Sequence, residues 1–462
     1  MGGAWVWIAP TLLVVLGTAA LAVHDRVQRS RPLLRVYPVV GRFPDLLRRL
    51  REMSHTDPSA GFPFSDEDLK DIRRRALNGS SVGSFGTARR PDPATFLAAD
   101  VAILPVAPNP MEKIAVLNSS GAGTREISVL NFGALGFGPV SANTIRAITV
   151  AAGEVGCHLN TGEDGLTTIH RAAPARLIWQ VGTGYWGCRN ADGEFCGEAF
   201  QSTAALESVD FIELKISQGA KPGAGGFLPA AKNTPRVARI LGVPPGVDIV
   251  SPPAHSAFDS VESMLRHVAW MEELALGKPV GIKLCIGSAR SVDDLTRAME
   301  ETGVVPAFIT VDGGEGGTGA ASFELQTHAG LPVDFGLQLL DRRLRAIGAR
   351  DRTRIFAAGR VKTGFDLFRL ICRGADGCFF TRAPMIAMGC VQARRCHVGD
   401  CPSGIATQSR WRQAAVSPDV QGRQLARYYR TVIDGYVQLL RASGKKSGRE
   451  LGGDCLISLN DR

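Results

Sequence analysis

From position 127 onward, short apolar runs alternate with longer stretches of helical period. The runs are 127–131, 156–160, 177–181, 211–216, 280–286, 307–311, 354–358 and 376–380, each the length of a buried strand. Apolar residues recur every three or four positions over 141–154, 261–276, 292–300, 336–347 and 364–373, which predicts helices between most of the runs. Eight strands alternating with helices predict an α/β fold, a (β/α)8 TIM barrel, with a doubly wound sheet as the alternative. The count of eight, and polar residues at strand C-terminal ends, favour the barrel. Two connections are long, 217–279 after the fourth strand and the stretch after the eighth. Both belong to the face where barrel enzymes keep their chemistry.

The flanks read differently. Residues 4–23 carry no charge, a length that spans a bilayer core. No basic residues precede them, which argues against a cleavable signal peptide. Between positions 26 and 51 stand eight arginines and one acidic residue, Asp45. By the positive-inside rule this predicts a single-span anchor in the cytoplasmic (inner) membrane, with the catalytic domain in the cytoplasm. Residues 32–126, rich in Pro, Arg and Asp, contain one predicted helix at 65–77, capped by Ser65 and Asp68. The periodicity resumes at 419–443 as one amphipathic helix. The predicted division is an anchor with its basic segment (1–31), an accessory lid or docking region (32–126), a barrel (127–408) and a C-terminal helical extension (409–462).

Composition refines this picture in three ways. A chain of 462 residues at 45% hydrophobic content can bury one large domain with extensions. The net charge of +9 owes much to the arginines after the apolar segment, which suit anionic lipid. No basic groove interleaved with aromatics follows, so nucleic acid is not an expected partner. Ten cysteines without a regular framework indicate a reducing compartment.

The chemistry concentrates in a few loops. Residues 389–408 read GCVQARRCHVGDCPSGIATQ and bring Cys390, Cys396 and Cys401 into one Gly- and Pro-punctuated loop. Three soft thiolates with a closing Cys-Pro suit an iron–sulfur cluster. Three buried structural cysteines are the bland alternative; zinc is weaker, because only His397 is near to complete four ligands. Gly-rich segments follow the sixth and seventh strands, VDGGEGGTGA (311–320) and AAGRVKTG (357–364), with TRAPM (381–385) after the eighth. At those strand ends they predict a phosphate-bearing cofactor held by backbone amides. Lys215 and Lys283 lie on otherwise apolar strands, a costly placement unless each faces a ligand or an internal ion pair such as Lys215 with Glu213. Glu163, Gln180, Gln218 and Lys221 share the same predicted rim. His158 and His170 are read as structural histidines. No serine-protease-like triad or HExxH zinc motif is present.

Taken together, residues 127–408 resemble the FMN-binding synthase domain of glutamate synthase, most closely a short, membrane-anchored branch. The segments carrying the resemblance are LNFGAL, NTGEDG, WQVGTG, IELKISQGAKPGAGG, SPPAHS, IKL, DGGEGGTGA, GRVKTG and the cysteine loop. It implies FMN in the barrel mouth and a 3Fe-4S cluster on Cys390, Cys396 and Cys401. Asn131, Gly133, Gln180 and Lys283 would line the flavin ring. Gly313 and Gly314, with Gly359, Arg360, Arg382 and Ala383, would hold the rest of the cofactor and its phosphate. Glu163, Lys215, Gln218 and Lys221 would face the substrate. The implied reaction is reductive amination of 2-oxoglutarate to L-glutamate, by hydride transfer from reduced FMN to a 2-imino acid.

Departures from the family pattern sit at the rim: TGYWG at 183–187 in place of SGRFG, leaving Arg189 as a substitute cation, and GEDG in place of GEGG at 162–165. An amino-terminal cysteine for a glutaminase reaction and a nicotinamide-binding fingerprint are both missing. This implies ammonia from solution or a supplying partner, and an electron-donor protein or reductase; a homo-oligomer stays among the expected partners without a residue-level argument for it. The alternatives are another 2-oxo acid or a primary amine with the same cofactors, as in an N-alkylglutamate synthase, or a non-catalytic membrane electron-transfer subunit.

Overall fold

The computed structural model describes residues 5–43, 63–80, 96–109, 112–119, 121, 123–171, 175–316, 318 and 321–458. Its centre is a closed barrel of eight parallel strands: β1 (Leu130–Phe132), β2 (His158–Asn160), β3 (Arg176–Val181), β4 (Val209–Lys215), β5 (Val280–Leu284), β6 (Phe308–Asp312), β7 (Arg354–Ala358) and β8 (Gly377–Phe380). β8 pairs with β1 and β4 with β5, so no edge remains. All seven residues of β4 are buried, as expected of a strand covered on both faces.

Each expected barrel helix forms, and all but one start at a side-chain cap. Ser141 accepts from the Thr144 amide at the head of α3 (Ala142–Val155), after α1 (Trp5–Val27) and α2 (Asp66–Asn78). Ser260 and Ser288 begin α4 (Val261–Leu274) and α5 (Ala289–Thr302), while α6 (Val333–Ala346) follows Pro332 without a side-chain cap. A Thr363–Asp366 capping box begins α7 (Gly364–Cys372). The predicted Ser65–Asp68 capping box is also present, on α2.

One expected strand needs correction. The run 127–131 is not a single strand: its first half closes an antiparallel pair, Lys113–Leu117 with Thr124–Ser128, and the chain turns at Val129 into β1. That pair lies across the N-terminal end of the barrel, where Arg125 meets Asp210 and Ala115 accepts from Arg354. The accessory region and the barrel therefore share an element across position 126. The tail, uninformative in sequence, pairs Leu456–Ser458 with Leu97–Ala99.

The C-terminal helix α8 (Pro418–Ala442) packs on α3, α7 and α2. It presents Leu425, Tyr428, Tyr429, Val432, Tyr436 and Leu440 at helical spacing, all buried. At roughly 1.5–3 kcal/mol per buried large side chain, this face is a major stabiliser. Gly422 allows the approach to α3, since a Cβ there would lie 2.7 Å from Val150. Tyr429 donates to the Leu130 carbonyl in β1 at 2.9 Å.

Among the described residues one helical stretch, Ala9–Val27, is long and apolar enough to cross a membrane. At its end Asp25 pairs with Arg42 at 2.5 Å, and Gln421 and Gln424 of α8 bind the Arg29 and Ser30 carbonyls. Of the eight arginines, Arg48, Arg49 and Arg51 lie outside the described residues, as does Asp45.

Candidate functional site

At the C-terminal mouth of the barrel, inward polar residues from six elements converge. Glu213 on β4 is fully buried and accepts from Asn160 of β2 at 2.7 Å, Gln180 of β3 at 2.6 Å and Thr310 of β6 at 2.6 Å. Strand pleating puts Glu213 and Lys215 on one face. Lys215 nevertheless pairs with Glu163, at 2.5 Å, and not with Glu213. Lys283 on β5 lies 3.3 Å from Asp312 at the end of β6. Burial opposes its charge, but Asp312, Glu213 and Glu163 outweigh that and raise its pKa. Burial likewise opposes ionisation of Glu163, yet Lys215, Lys221 and Lys283 together hold its carboxyl below the ordinary range. Lys221, 3% exposed, donates to the Gly225 carbonyl at 2.5 Å, and burial lowers its pKa. Gln218 is half-buried one turn before it.

The structure adds residues that the sequence did not single out. Asp164 packs against Gly136, where a Cβ would lie 1.8 Å from its carboxylate oxygen. Burial, and next the charge of Glu163, push its carboxyl up to about 7. Among the described residues the Thr183 hydroxyl and Nδ1 of His255 are buried without a partner, while His255 Nε2 lies 2.9 Å from the Lys215 carbonyl. Such orphaned groups in a mouth are what a ligand satisfies. His255 stands in SPPAHS, within the loop expected to cover the barrel; an HxxH or metal spacing would have flagged it, and none exists.

Tyr185 is buried, in a left-handed backbone (φ +46°), with its ring 5.2 Å from that of His255. Arg189 does not enter the mouth. It lies over the Trp186 ring at 3.8 Å and donates to the Leu241 and Gly242 carbonyls. His158 sits at the opposite end of the barrel against Asp210, and His170 is held by Thr167, so both are structural.

Gly133 follows β1 at the mouth, but the Asn131 side chain turns toward the floor, donating to the Ser128 carbonyl at 2.6 Å and accepting from the His158 amide at 3.0 Å; the glycine loops form a second pocket. The Glu315 carboxylate accepts from the Val333 amide at 3.1 Å, at the uncapped start of α6. A Cβ on Gly313 or Gly359 would come within 2.4 or 3.0 Å of that carboxylate. Arg382 donates to the Glu315 carbonyl at 2.7 Å, and Ala383 is buried behind it. Arg360 is exposed and takes a left-handed backbone (φ +45°). A cavity of 580 Å³ opens here, lined by Gly314, Glu315, Gly359, Arg360 and Lys362 among others. Gly317, Gly319 and Ala320 of the first glycine segment lie outside the described residues.

The cysteine loop borders the same mouth and is clamped from outside. Gln392 brackets both the amide and the carbonyl of Phe64, and Arg73 donates to the Cys390 carbonyl. Burial, then the neighbouring Cys396 and Cys401, push the Cys390 thiol up to about 12. Among the described residues no three His, Cys, Asp or Glu side chains converge on one point as a metal site.

A family pattern described as a conserved region in glutamate synthase matches residues 96–446. The chain is 30% identical to the glutamate synthase large subunit-like protein YerD of Bacillus subtilis, over 93% of this chain and 90% of that protein. It is 32% identical to an archaeal-type glutamate synthase [NADPH] of Thermotoga neapolitana, over 71% of this chain and 62% of the relative. With ferredoxin-dependent glutamate synthase 1 of Arabidopsis thaliana it shares 32% identity, over 68% of this chain and 20% of the relative. The chain thus spans nearly all of one relative and less than two thirds of the other two. Fold and match agree: this chain belongs to the glutamate synthase family of FMN-dependent oxidoreductases.

Proposed function

We propose that this protein carries out the synthase half-reaction, reductive amination of 2-oxoglutarate to L-glutamate, on the cytoplasmic face of a membrane. The observation that carries this reading is the mouth itself: Lys215, Lys221 and Lys283 converge there with Glu163, Glu213 and Asp312, and the Thr183 hydroxyl and His255 Nδ1 are buried without a partner among the described residues. Buried polar atoms left unpaired beside three ammonium groups suit a polar, anionic ligand.

The glycine pocket fits the phosphate of FMN by a stand-in argument. An anion, the Glu315 carboxylate, already rests in the glycine cradle at a helix start beside Arg382. A phosphate there would displace it, with Gly313, Gly314, Gly359, Arg360, Arg382 and Ala383 as the cradle. Gly133, Gln180 and Lys283 would border the ring, whereas the Asn131 side chain is tied to the floor and does not fit that role; bound FMN supplies hydride-transfer chemistry. Lys283 would stabilise negative charge on the ring side, while Lys215 or Lys221 binds the substrate carboxylate and polarises its reacting carbon. Glu163 fixes Lys215 in place, and Gln218 lies within reach of the same substrate. Protons reach the product from Lys221, whose lowered pKa eases release.

Cys390, Cys396 and Cys401 are three soft donors on one loop, which suits a 3Fe-4S cluster by donor chemistry, although the described side chains do not converge on one point. The names of the relatives in Thermotoga and Arabidopsis point to reduced nicotinamide or ferredoxin as electron source, so a donor protein is part of this reading. The apolar helix Ala9–Val27 supports the anchor.

A second reading keeps the cofactors and changes the substrate to another 2-oxo acid or a primary amine. The placement of Tyr185 and Arg189 favours it, because neither gives the mouth a guanidinium for a second carboxylate. The test uses chemically reduced protein, anaerobic, with 2-oxoglutarate and ammonium; flavin reoxidation and glutamate by mass spectrometry are followed. Reoxidation with glutamate formed supports the first reading. A flavin reoxidised only with methylamine or another 2-oxo acid transfers the assignment to the second. A flavin that stays reduced with every acceptor rejects both.

A further inference from the structure

Residues 28–43 form a knot between the end of α1 and the barrel. Asp25, fully buried in the last turn of α1, pairs with Arg42 and accepts from the Val39 amide at 2.9 Å. Pro32, Leu33, Leu34 and Val36 are buried within the knot. Arg35 donates to the Ala415 carbonyl at 2.8 Å and the Ser417 hydroxyl at 3.0 Å. Pro32 also closes on the start of the cysteine loop, since a Cβ on Gly389 would lie 3.0 Å from its Cδ.

One side of this knot is left apolar. Val40, Phe43 and Trp411 are each more than half exposed. Val40 and Phe43 stand on either side of Arg42, the partner of Asp25, and the Trp411 ring meets Tyr37 edge-on at 6.5 Å. All three therefore lie beside the residues that hold the last turn of α1. Arg26, Arg29, Arg31 and Arg410 are exposed on the same stretches, and among the described residues none has a carboxylate within ion-pair distance. Asp419 is the one exposed acid on 24–43 and 409–419.

We propose that this side is a second membrane contact, a patch that rests on anionic lipid headgroups with Trp411 and Phe43 at the boundary of the acyl chains. It rests on the anchor reading given above. A membrane-spanning helix ends at headgroup level, so groups bonded to its last turn are held at that level too. Aromatic rings there have an apolar body for the acyl boundary, and unpaired arginines meet lipid phosphates. The patch thus combines the two attractions that hold a protein on a bilayer surface, apolar insertion and charge. A protein partner would have to bring carboxylates to four arginines spread over two segments; an anionic leaflet offers them everywhere. The consequence is a fixed orientation. Because Pro32 lies on Gly389, the cysteine-loop side of the barrel mouth is held toward the bilayer.

The test uses the full chain in vesicles of phosphatidylethanolamine and phosphatidylglycerol, with and without lipid brominated near the headgroup end of its acyl chains. Trp5→Phe and Trp7→Phe remove the tryptophans of α1. Emission from Trp411 is then the difference between that protein and the same protein carrying Trp411→Phe. The expected result is a loss of Trp411 emission of about twofold in brominated vesicles. Arg29→Gln, Arg31→Gln and Arg410→Gln together should reverse most of that loss while the protein still floats with the vesicles. Protein that floats with Trp411 emission equal in both kinds of vesicle would overturn the inference and leave this side to a protein partner or a second copy of the chain. Quenching that the three arginine variants do not change overturns the role given to anionic lipid. Protein that fails to float overturns the anchor reading itself, and this inference with it, a result distinct from an unquenched Trp411.

Discussion

The two ends of the barrel are both built from buried charges, yet they balance them differently. At the N-terminal end Asp210 is met by Arg125 at 2.8 Å, His158 at 3.0 Å and a two-pronged Arg176. Burial alone would raise its pKa, but these partners hold it below the usual range. One carboxylate is saturated by donors from β2, β3 and the antiparallel pair beneath them. At the C-terminal end Lys215, Lys221 and Lys283 meet Glu163, Glu213 and Asp312 in equal number, and polar atoms of Thr183 and His255 are left without a partner among the described residues. A saturated cluster contributes to folding; an unsaturated one costs stability and is kept for a ligand.

The largest expected effect separates those roles. Asp210→Ala removes the buried carboxylate that holds His158 and the partly exposed Arg125 and Arg176, and should cost about 3 kcal/mol of stability, read by denaturant unfolding. Loss below 1 kcal/mol would mean that the floor is held by the hairpin's backbone and not by this carboxylate. Lys221→Met makes the converse case. It should lower the synthase half-reaction about 100-fold, near 2.7 kcal/mol, while stability stays equal or rises, since a poorly paired buried ammonium is removed. Unchanged turnover would place Lys221 among the structural groups.

Asp164 yields a smaller effect with a definite sign. Its folded pKa, about 7, lies above its ordinary value of 3.8, so the folded state keeps a proton that the unfolded chain releases. That contribution is complete below pH 4, falls as pH rises toward 7, and is constant above. At about 1.4 kcal/mol per unit, discounted for partial exposure, wild type should lose about 2 kcal/mol between pH 5 and 7 relative to Asp164→Asn. Parallel stability curves for the two proteins over that range would show that Asp164 is ionised throughout.

How much of this was legible in the sequence differs between the same two ends. The barrel walls were readable because buried strands are apolar on both faces and stretches of helical period separate them, while the Ser65–Asp68 cap marked α2 outside the barrel. The floor was misread at 127–131, since an apolar run does not mark the turn at Val129 between hairpin and wall. The mouth was readable where a charge interrupts an apolar strand, as at Lys215 and Lys283. It was opaque where a buried charge sits in a polar loop: Asp164, noted only as the departure from GEGG, looks like a surface residue until the fold encloses it. The strand pair Phe227–Leu228 with Ile249–Val250 was missed because two residues carry no period.

The smallest effect tests the mouth from its phosphate side. Glu315 holds the helix start and glycine cradle that the FMN phosphate would occupy. Burial raises its pKa, with only backbone amides and Arg360 drawing it down, so the carboxylate is a poorly stabilised tenant. FMN must then displace like charge on entering, and removing that charge should aid binding. Glu315→Gln keeps the side-chain shape and should tighten FMN binding about tenfold, near 1.4 kcal/mol, in flavin-fluorescence titrations of the FMN-free protein. Arg382→Ala should weaken it by a similar factor, because it removes a cation from the same cradle. The pair of variants is decisive together. If Glu315→Gln weakens FMN as Arg382→Ala does, Glu315 is part of the cofactor's support and not its stand-in, and this side of the mouth is as saturated as the floor.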